Sequence, residues 1–470
     1  MNYYKLPNIL YRDYLDFGYL TDNRNFGYDT RAKSSVKVGD RVLSKTGSIF
    51  YSILSEKPLS VEVLARKLLS IFVGVSLDEI LNDAVEFYNA LADDGFIGRG
   101  DNSSYSGLFS YEDLIPKLIP NESSMDTLDD TFNERWRSEY HLTRVHLEVS
   151  ARCNEHCVHC YFPDFYRRGT MPKDLFIRVL EQCKVANVLN ITISGGEPML
   201  NPNLLFFIEE CKKSNFSINL LSNLMLITDE MIEFFARIPM LSIQTSLYSM
   251  DPGIHDAITL VRGSFEKTKL AIEKLHRHNI PMQINCPIMK QNRYSYHSVL
   301  RWAEALNIEA SSDYMLFGCF DGSCKNLNCR LDLSEVETVI KEEQYMKYHD
   351  NMQEQKSAHA LLERGDSICP VCVSSICIAH NGDVYPCEGW QSYKLGNLNN
   401  LSLHEVWNSR SINELRRVSL DDFPKCRICE DKEFCSICLL RNANESCTGH
   451  FQDVNPYFCK IAHMKREAAS

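Results

Sequence analysis

Six short apolar runs punctuate the middle of the chain, at residues 145–149, 191–194, 218–221, 241–246, 282–288 and 314–317. Between them lie longer stretches with apolar residues at helical spacing, among them 173–185, 204–211 and 265–278. Short unbroken runs mark buried strands, and a period near 3.6 marks helices. Their alternation predicts a parallel sheet with helical crossovers, either a partly closed barrel or a doubly wound sheet. In both, ligands sit at the carboxyl ends of the strands. The chemistry-bearing segments fall there: CNEHCVHC after the first run, GGEP after the second, Ser222-Asn223 after the third and Ser246 closing the fourth.

The flanks follow other patterns. Residues 1–100 open with strand-like pieces at 9–14, 25–28 and 41–43, followed by amphipathic stretches at 60–72 and 77–91. Ser60 stands at an N-cap with Glu62 behind it, and Gly95 fits a C-cap. This layout predicts a small winged module. Residues 101–138, with their DNSSYSG and NESSMDTLDDT clusters, read as a linker. The alternating pattern occupies 139–320, and 321–368 form a bridge. Residues 369–470 lose periodicity while holding ten of the 19 cysteines, which predicts a loop-rich domain held by metal rather than by an apolar core.

Composition narrows the class. At 470 residues the chain has room for two or three domains, and 44% apolar residues suffice for real cores. No apolar run approaches the ~18 residues of a membrane span. The opening MNYYKLPNILYRDY lacks the basic-then-apolar layout of a secretory signal, so a cytoplasmic location is expected. In a reducing compartment an odd, clustered set of cysteines points to metal rather than disulfides. A net charge of −12 without a long Lys/Arg run gives no ground for a nucleic-acid partner, and no membrane partner is expected.

Cys153, Cys157 and Cys160 are spaced Cys-x3-Cys-x2-Cys. Three thiolates on one loop can hold three irons of a four-iron cluster and leave the fourth open to a small molecule. The alternative is zinc, which usually closes with four ligands from paired Cys-x2-Cys units, and the segment offers no obvious local fourth of that kind. In SGGEP, Gly195 and Gly196 permit close backbone approach to a ligand, Glu197 offers an acceptor and Pro198 fixes the exit. Farther on, Cys369, Cys372, Cys377 and Cys387 flank the hairpin signal Asn381-Gly382-Asp383. Cys426, Cys429, Cys435 and Cys438, followed by Cys447 and Cys459, form a second block that also fits a zinc ribbon. Cys319, Cys324 and Cys329 read as loop thiols. Cys183, Cys211 and Cys286 read as core packing, like Met225 and Met240.

The cysteine triad followed by GGEP resembles the radical SAM superfamily. The resemblance implies an α/β fold, a partial (β/α)6 TIM-like barrel. It also implies a [4Fe-4S] cluster on Cys153, Cys157 and Cys160, and S-adenosylmethionine bound at Gly195, Gly196, Glu197 and Pro198. Ser246, in TSLYS, and Arg262, in the stretch from His255-Asp256 to Arg262-Gly263-Ser264-Phe265, correspond to residues that hold the cofactor's carboxylate and ribose. Two departures stand out: Tyr248 replaces the family's usual Asp, and the interval from Asp256 to Arg262 is long. The C-terminal blocks resemble the SPASM extension, which carries two auxiliary [4Fe-4S] clusters, and residues 395–409 look like its connecting segment. By that likeness one cluster takes Cys369, Cys372, Cys387 and Cys438. The other takes Cys426, Cys429, Cys435 and Cys459, leaving Cys377 and Cys447 over. Cys435-x2-Cys438 is one residue shorter than the family spacing. Glu388 matches a position where related maturases place a carboxylate that accepts a substrate proton, a catalytic role.

The N-terminal layout resembles the winged-helix-like peptide-recognition element of enzymes that modify ribosomally made peptides, which adds a leader peptide to a sheet edge. Together these likenesses imply an oxidoreductase that makes a 5′-deoxyadenosyl radical to modify a precursor peptide (a RiPP maturase). Its partners are the leader-bearing precursor and an electron donor such as flavodoxin or ferredoxin. A Cys thioether is the expected product. Carbon–carbon or carbon–oxygen crosslinking, sulfatase-type oxidation of Cys or Ser to formylglycine, and a non-catalytic zinc-dependent peptide-binding scaffold are the alternatives.

Overall fold

The computed structural model describes residues 1–14, 16–23, 39–100, 111, 138–349, 367–369 and 371–469. The strand expected at 25–28 and nearly all of the expected linker lie outside the described residues.

The N-terminal module contains β1 (Asn2–Lys5), β2 (Leu10–Asp13), β3 (Phe17–Thr21), β4 (Asp40–Ser44), α1 (Lys45–Ser52), β5 (Leu59–Ser60), α2 (Val61–Leu69), α3 (Leu77–Asp93) and β6 (Ile97–Arg99). Its strands make two antiparallel sheets, ordered β5-β1-β6 and β2-β3-β4. Ser60 caps α2 by accepting from the Val63 N–H, and Ser76 with Glu79 forms a reciprocal capping box on α3. The apolar stripes of α2 and α3, with Leu64, Leu68, Tyr88 and Leu91, close over Tyr3 and Phe50.

The barrel follows as β7 (Arg144–Ser150), α4 (Lys173–Val185), β8 (Asn190–Gly195), α5 (Leu204–Lys213), β9 (Ser217–Leu221), α6 (Asp229–Phe235), β10 (Met240–Ser246), α7 (Pro252–Thr259), α8 (Ser264–Arg277), β11 (Met282–Pro287), α9 (Tyr296–Ala305) and β12 (Glu309–Asp313). The six strands are parallel and lie in sequence order. Four crossovers end alike: Asn187, Asn215, Asn279 and Asn307 each follow a helix's capping residue with φ of 54–55°. Asn tolerates that left-handed turn and stops the helix before the next strand.

The sixth strand departs from expectation. It is Glu309–Asp313, not 314–317. β12 is an edge with only β11 beside it, so a polar sequence serves there. The apolar residues after it leave the sheet, and Tyr314 buries itself beyond the strand end.

Side-chain alternation splits the sheet chemically. One face carries Val145, Leu147, Ile191, Ile193, Ile218, Leu220, Ile243 and Ile284 to the helices. The other face, the lumen, carries His146, Glu148, Thr192, Ser194, Asn219, Gln244 and Gln283, set side by side by the strand register. The lumen is therefore polar, unlike the aliphatic filling of a closed eight-stranded barrel.

β13 (Ser375–Ala379) pairs parallel with β7, and β14 (Asp383–Tyr385) and β15 (Gly396–Asn397) extend the sheet to nine strands. This corrects the expectation of a region held by metal instead of an apolar core. Ile376, Ile378, Val384, Trp390, Val406, Ile412 and Leu415 belong to the barrel's own core. The turn signal at Asn381-Gly382-Asp383 does join β13 to β14, but strands of two to five residues carry too little periodicity to reveal their place in the barrel sheet. Among the described residues no helix is long and apolar enough to cross a membrane.

A buried arginine fastens the N-terminal module to the barrel. Arg12 of β2 donates from Nε and Nη2 to the Val188 carbonyl, at 2.9 and 2.8 Å, and from Nη1 to those of Asn215 and Tyr11, both at 2.8 Å. Val188 and Asn215 follow the C-termini of α4 and α5, whose partial negative charge meets the guanidinium. Asn215 returns the contact, its Nδ2 donating to the Ile9 carbonyl and its Oδ1 accepting from the Tyr11 N–H. Arg12→Met strands these carbonyls, so the contact weakens by about 3 kcal/mol. Hydrogen exchange at residues 10–13 then accelerates while the barrel strands stay protected.

Candidate active site and metal centres

At the carboxyl ends of β7 to β10 a cavity of about 180 Å³ is lined by Cys153, Cys157 and Cys160 together with Gly195, Gly196, Asn223 and Tyr248. The cysteine loop is pinned from several sides. The His156 and Val158 N–H groups donate to the Thr259 and Ile258 carbonyls at the end of α7, at 3.1 and 2.9 Å. Arg167 Nη1 donates to the Glu155 carbonyl at 2.7 Å, and Asn223 Nδ2 to Asn154 Oδ1 at 2.9 Å.

The glycine pair makes this packing possible. A Cβ on Gly195, where φ is +137°, would sit 2.0 Å from the Ser150 carbonyl oxygen, and one on Gly196 2.6 Å from that of Arg152. The close approach is thus first to the root of the cysteine loop, with the opposite side of the pair left on the cavity. Glu197 is fully buried and committed to the protein. It accepts from Met199 N–H, Ser222 Oγ and Asn223 N–H at 2.8–2.9 Å, and burial pushes its carboxyl up to about 7. What this segment offers a ligand is backbone. Pro198 opens a short 3-10 turn and does not line the cavity. Ser246 ends β10 beside the Tyr248 hydroxyl, and Arg262 lies in the turn between α7 and α8. Neither borders the cavity. Asp256 caps α8, taking the Gly263 and Phe265 N–H groups and the Ser264 hydroxyl.

Among the lining residues that escaped the sequence reading as site residues are Glu155, His159, Tyr161, Phe162, Arg167 and Tyr248. Tyr248 stands edge-on to His159, their rings 5.2 Å apart, with its hydroxyl 4.0 Å from Cys157 Sγ. Its departure from the family pattern was the available signal. Arg167 arrives from a turn with no recognisable spacing.

Burial pushes the Cys153 thiol up to about 12 and Cys157 well above its usual range, with Glu155 adding to both and Glu197 to Cys153. Such a pocket holds thiolates only when a cationic centre compensates them. Among the described residues no three His, Cys, Asp or Glu side chains converge closely enough for a single ion. Three thiols around a cavity of this size suit a polynuclear iron–sulfur cluster better than zinc.

Two further cysteine sites lie in the C-terminal region. Cys426, Cys429, Cys435 and Cys459 together line one small, largely apolar cavity with Leu420 and Ile437. Cys387 and Cys438 border a cavity of about 480 Å³ that also takes in Cys435, Glu388, Arg441 and Lys465 and reaches Asp313 and Phe317 beyond β12. Cys369, Cys372 and Cys438 all bear electrostatically on Cys387. Cys377 sits apart, buried in β13 against Glu148, and Cys447 is exposed near Cys324. Glu388 reaches across to His146, its Oε2 3.8 Å from Nδ1, and His146 Nε2 meets the Ser194 hydroxyl.

A cluster-bearing loop over a glycine-cradled pocket, at the mouth of a six-stranded parallel barrel, defines a class of enzyme that opens a sulfonium cofactor at iron. The comparisons agree: residues 147–303 match the Radical SAM superfamily and residues 369–431 the SPASM iron–sulfur cluster-binding domain. The chain thus carries a radical SAM domain and a SPASM domain, which imply S-adenosylmethionine and [4Fe-4S] clusters as cofactors. It is similar to the subtilosin biosynthesis protein AlbA of Bacillus subtilis, 23% identical over 70% of this chain and 73% of AlbA. The cofactor-modifying protein for a tungsten-containing aldehyde ferredoxin oxidoreductase of Pyrococcus furiosus is 23% identical over 65% of this chain and 92% of its own. In fold, Streptococcus suis SuiB bound to its precursor peptide SuiA overlays on 97% of this chain and 100% of its own, with a TM-score of 0.58 at 16% identity. The anSMEcpe structure with bound AdoMet overlays on 70% of this chain and 96% of its own, with a TM-score of 0.56 at 16% identity.

Glu148 supplies a testable titration. It is buried in the lumen, accepting from the Tyr166 hydroxyl at 3.2 Å and Gln391 Nε2 at 3.0 Å, and burial pushes its carboxyl from 4.5 up to about 7. Between those values the unfolded chain has released this proton and the folded chain has not. Stability therefore falls as pH rises through that window, on the order of 3 kcal/mol from this group. Glu148→Gln, which keeps an acceptor, removes that part of the slope. Urea unfolding below and above the window reads the difference.

Proposed function

We propose that this enzyme crosslinks a ribosomally made precursor peptide, joining a Cys sulfur to a carbon of another residue. One observation carries the reading. The chain has a sheet-and-helix module on the barrel as well as two auxiliary cysteine sites, and it overlays along 97% of its length on SuiB, a structure solved with a precursor peptide. The likeness to anSMEcpe, solved with bound AdoMet, stops at 70% of this chain. The relation to AlbA, a bacteriocin biosynthesis protein, favours peptide crosslinking.

On this reading Cys153, Cys157 and Cys160 hold the cluster that binds S-adenosylmethionine. Cys369, Cys372, Cys387 and Cys438 hold one auxiliary cluster, and Cys426, Cys429, Cys435 and Cys459 the other. Loaded with these cofactors, the enzyme has reductive cleavage of a sulfonium available to it, and hence hydrogen-atom abstraction. The chain does the rest. Gly195 and Gly196 present backbone to the cofactor's methionine end, and Ser246 and Arg262 move onto its carboxylate and ribose. The polar lumen gives the peptide hydrogen-bond partners and fixes its position. Glu388, at the boundary of lumen and large cavity, takes the substrate proton and His146 orients it. Among the described residues β4 is an outer strand of its sheet, beside β3, and this side of the module takes the leader as an added strand. A flavodoxin or ferredoxin supplies the electron.

The module docks at residues 188 and 215, the amino ends of β8 and β9, whereas the cysteines stand at the carboxyl ends. Leader and crosslinked residues must therefore be separated by at least the length of the barrel, on the order of ten extended residues. Deleting that spacer from a leader-bearing precursor peptide that the enzyme binds abolishes crosslinking while leader binding, read by fluorescence anisotropy, is kept.

With that peptide, S-adenosylmethionine and a chemical reductant, the product is two hydrogens lighter and lacks one free thiol. Retention of every thiol overturns the thioether. Replacing Cys153, Cys157 and Cys160 together by Ala ends 5′-deoxyadenosine formation and leaves leader binding intact; continued cofactor cleavage by that variant refutes the site.

A further inference from the structure

A buried cation ordinarily faces a buried anion, because its desolvation is otherwise uncompensated. Arg330 obeys this, its Nη1 lying 2.8 Å from Glu445 Oε2. Arg12 lacks an acid but fills its guanidinium with carbonyls at two helix ends. Arg416 does neither. It ends the helix Arg410–Arg416 and is only 5% exposed. Its Nε donates to the Cys372 carbonyl at 2.6 Å and its Nη1 to Asn413 Oδ1 at 3.0 Å, while Nη2 has no partner. The Trp407 and Tyr140 rings cover its charge at 4.4 and 4.7 Å. No carboxylate of the described residues forms an ion pair with it, and the helix end supplies only a fraction of a charge.

Arg441 repeats the arrangement. It is 9% exposed, it lies over Phe458, and its Nη2 donates to the Ser436 carbonyl at 2.9 Å. It too forms no ion pair with a carboxylate among the described residues, and its charge bears on Cys369 and Cys435. Two buried arginines without acids thus stand against the cysteines of the auxiliary sites.

We propose that Arg416 is the counter-charge of the four-iron cluster on Cys369, Cys372, Cys387 and Cys438 and raises its reduction potential, with Arg441 acting from the side of Cys369 and Cys435. The inference rests on the ligand set given under the proposed function. A thiolate-ligated cluster gains negative charge on reduction, so a fixed cation in a dry site stabilises the reduced form more than the oxidised one. Glu388, beside Cys387, opposes this, but its side chain is 49% exposed and screened by water.

The test uses the reconstituted full-length chain carrying Cys153→Ala, Cys157→Ala and Cys160→Ala, so that only auxiliary clusters remain. Potentiometric titration followed by EPR compares Arg416 with Arg416→Gln and Arg416→Lys. The expected result is full iron and sulfide content in both, a midpoint shifted to lower potential in Arg416→Gln, and a midpoint near the parent's in Arg416→Lys. Loss of iron from the Gln variant alone also supports the proposal. An unmoved midpoint in a loaded Gln variant, an equal fall in the Lys variant, or iron loss from both overturns it. Cys372→Ala in the same background separates the underlying reading: unchanged iron and sulfide content would refute the ligand set, whatever Arg416 does.

Discussion

Everything at the mouth of the barrel depends on one backbone seam. The exits of β7 and β8 run so close that the Gly196 N–H reaches the Ser150 carbonyl at 2.7 Å and the Glu197 N–H that of Arg152 at 2.8 Å. No side chain fits between them. The seam aligns the root of the cysteine loop with the wall opposite. The Glu197 carboxylate then ties it to the end of β9 through Ser222 and Asn223. Three strand ends become one rigid rim, and the pocket's geometry is inherited from the sheet rather than from a mobile loop. The same seam gives the glycines two duties. They are required by the protein's own packing before any ligand is considered, so a substitution there damages rim and cofactor site together.

Much of this architecture was legible because strands with one face packed under helices leave apolar residues at strand length and spacing, set between helical stripes. β7 to β11 are such strands, and their helices carry clean stripes. β12 was misplaced by the same logic. An edge strand needs no apolar run, while Tyr314 and its neighbours are apolar for packing beyond the sheet. Of β13 to β15 the sequence showed only the hairpin turn at Asn381-Gly382-Asp383, which does join β13 to β14; their place in the barrel sheet was hidden because a short strand centred on Cys377 looks like part of a ligand block. The cysteine clusters were visible as sequence intervals, and Cys426, Cys429, Cys435 and Cys459 do line one cavity, but the division into ligand sets came from the family likeness rather than from spacing. What spacing does not carry is contact across the chain. Arg167, which braces Glu155, and Arg12, which holds the N-terminal module, act at sequence distances where no pattern exists.

The polar lumen is a cost accepted for use. Asn219 Oδ1, Gln244 Nε2 and Ser242 Oγ are buried there without partners, and each such group costs on the order of 1–3 kcal/mol until something satisfies it. A closed barrel would have filled this volume with Val and Ile. An open one with unfilled donors and acceptors is prepared for an occupant rich in amides. That fits a peptide chain better than an apolar small molecule, and it places the specificity of the site in the sheet's inward register rather than in its loops.

Charge is distributed with equal economy. Around the first cysteine triad the enclosed side chains carry both signs: Glu155 beside Cys157, Glu197 bearing on Cys153, and Arg167 bearing on Cys160. Around Cys372, Cys369 and Cys435 they are arginines. Fixed charges in a low-dielectric interior act over several ångströms, so the acids and the arginine at the barrel mouth offset one another. At the C-terminal cysteines two buried arginines have no acid partner of their own, and the half-exposed Glu388 only partly opposes them. The two cysteine regions therefore differ in the charge that side chains set around them, apart from the cysteines themselves.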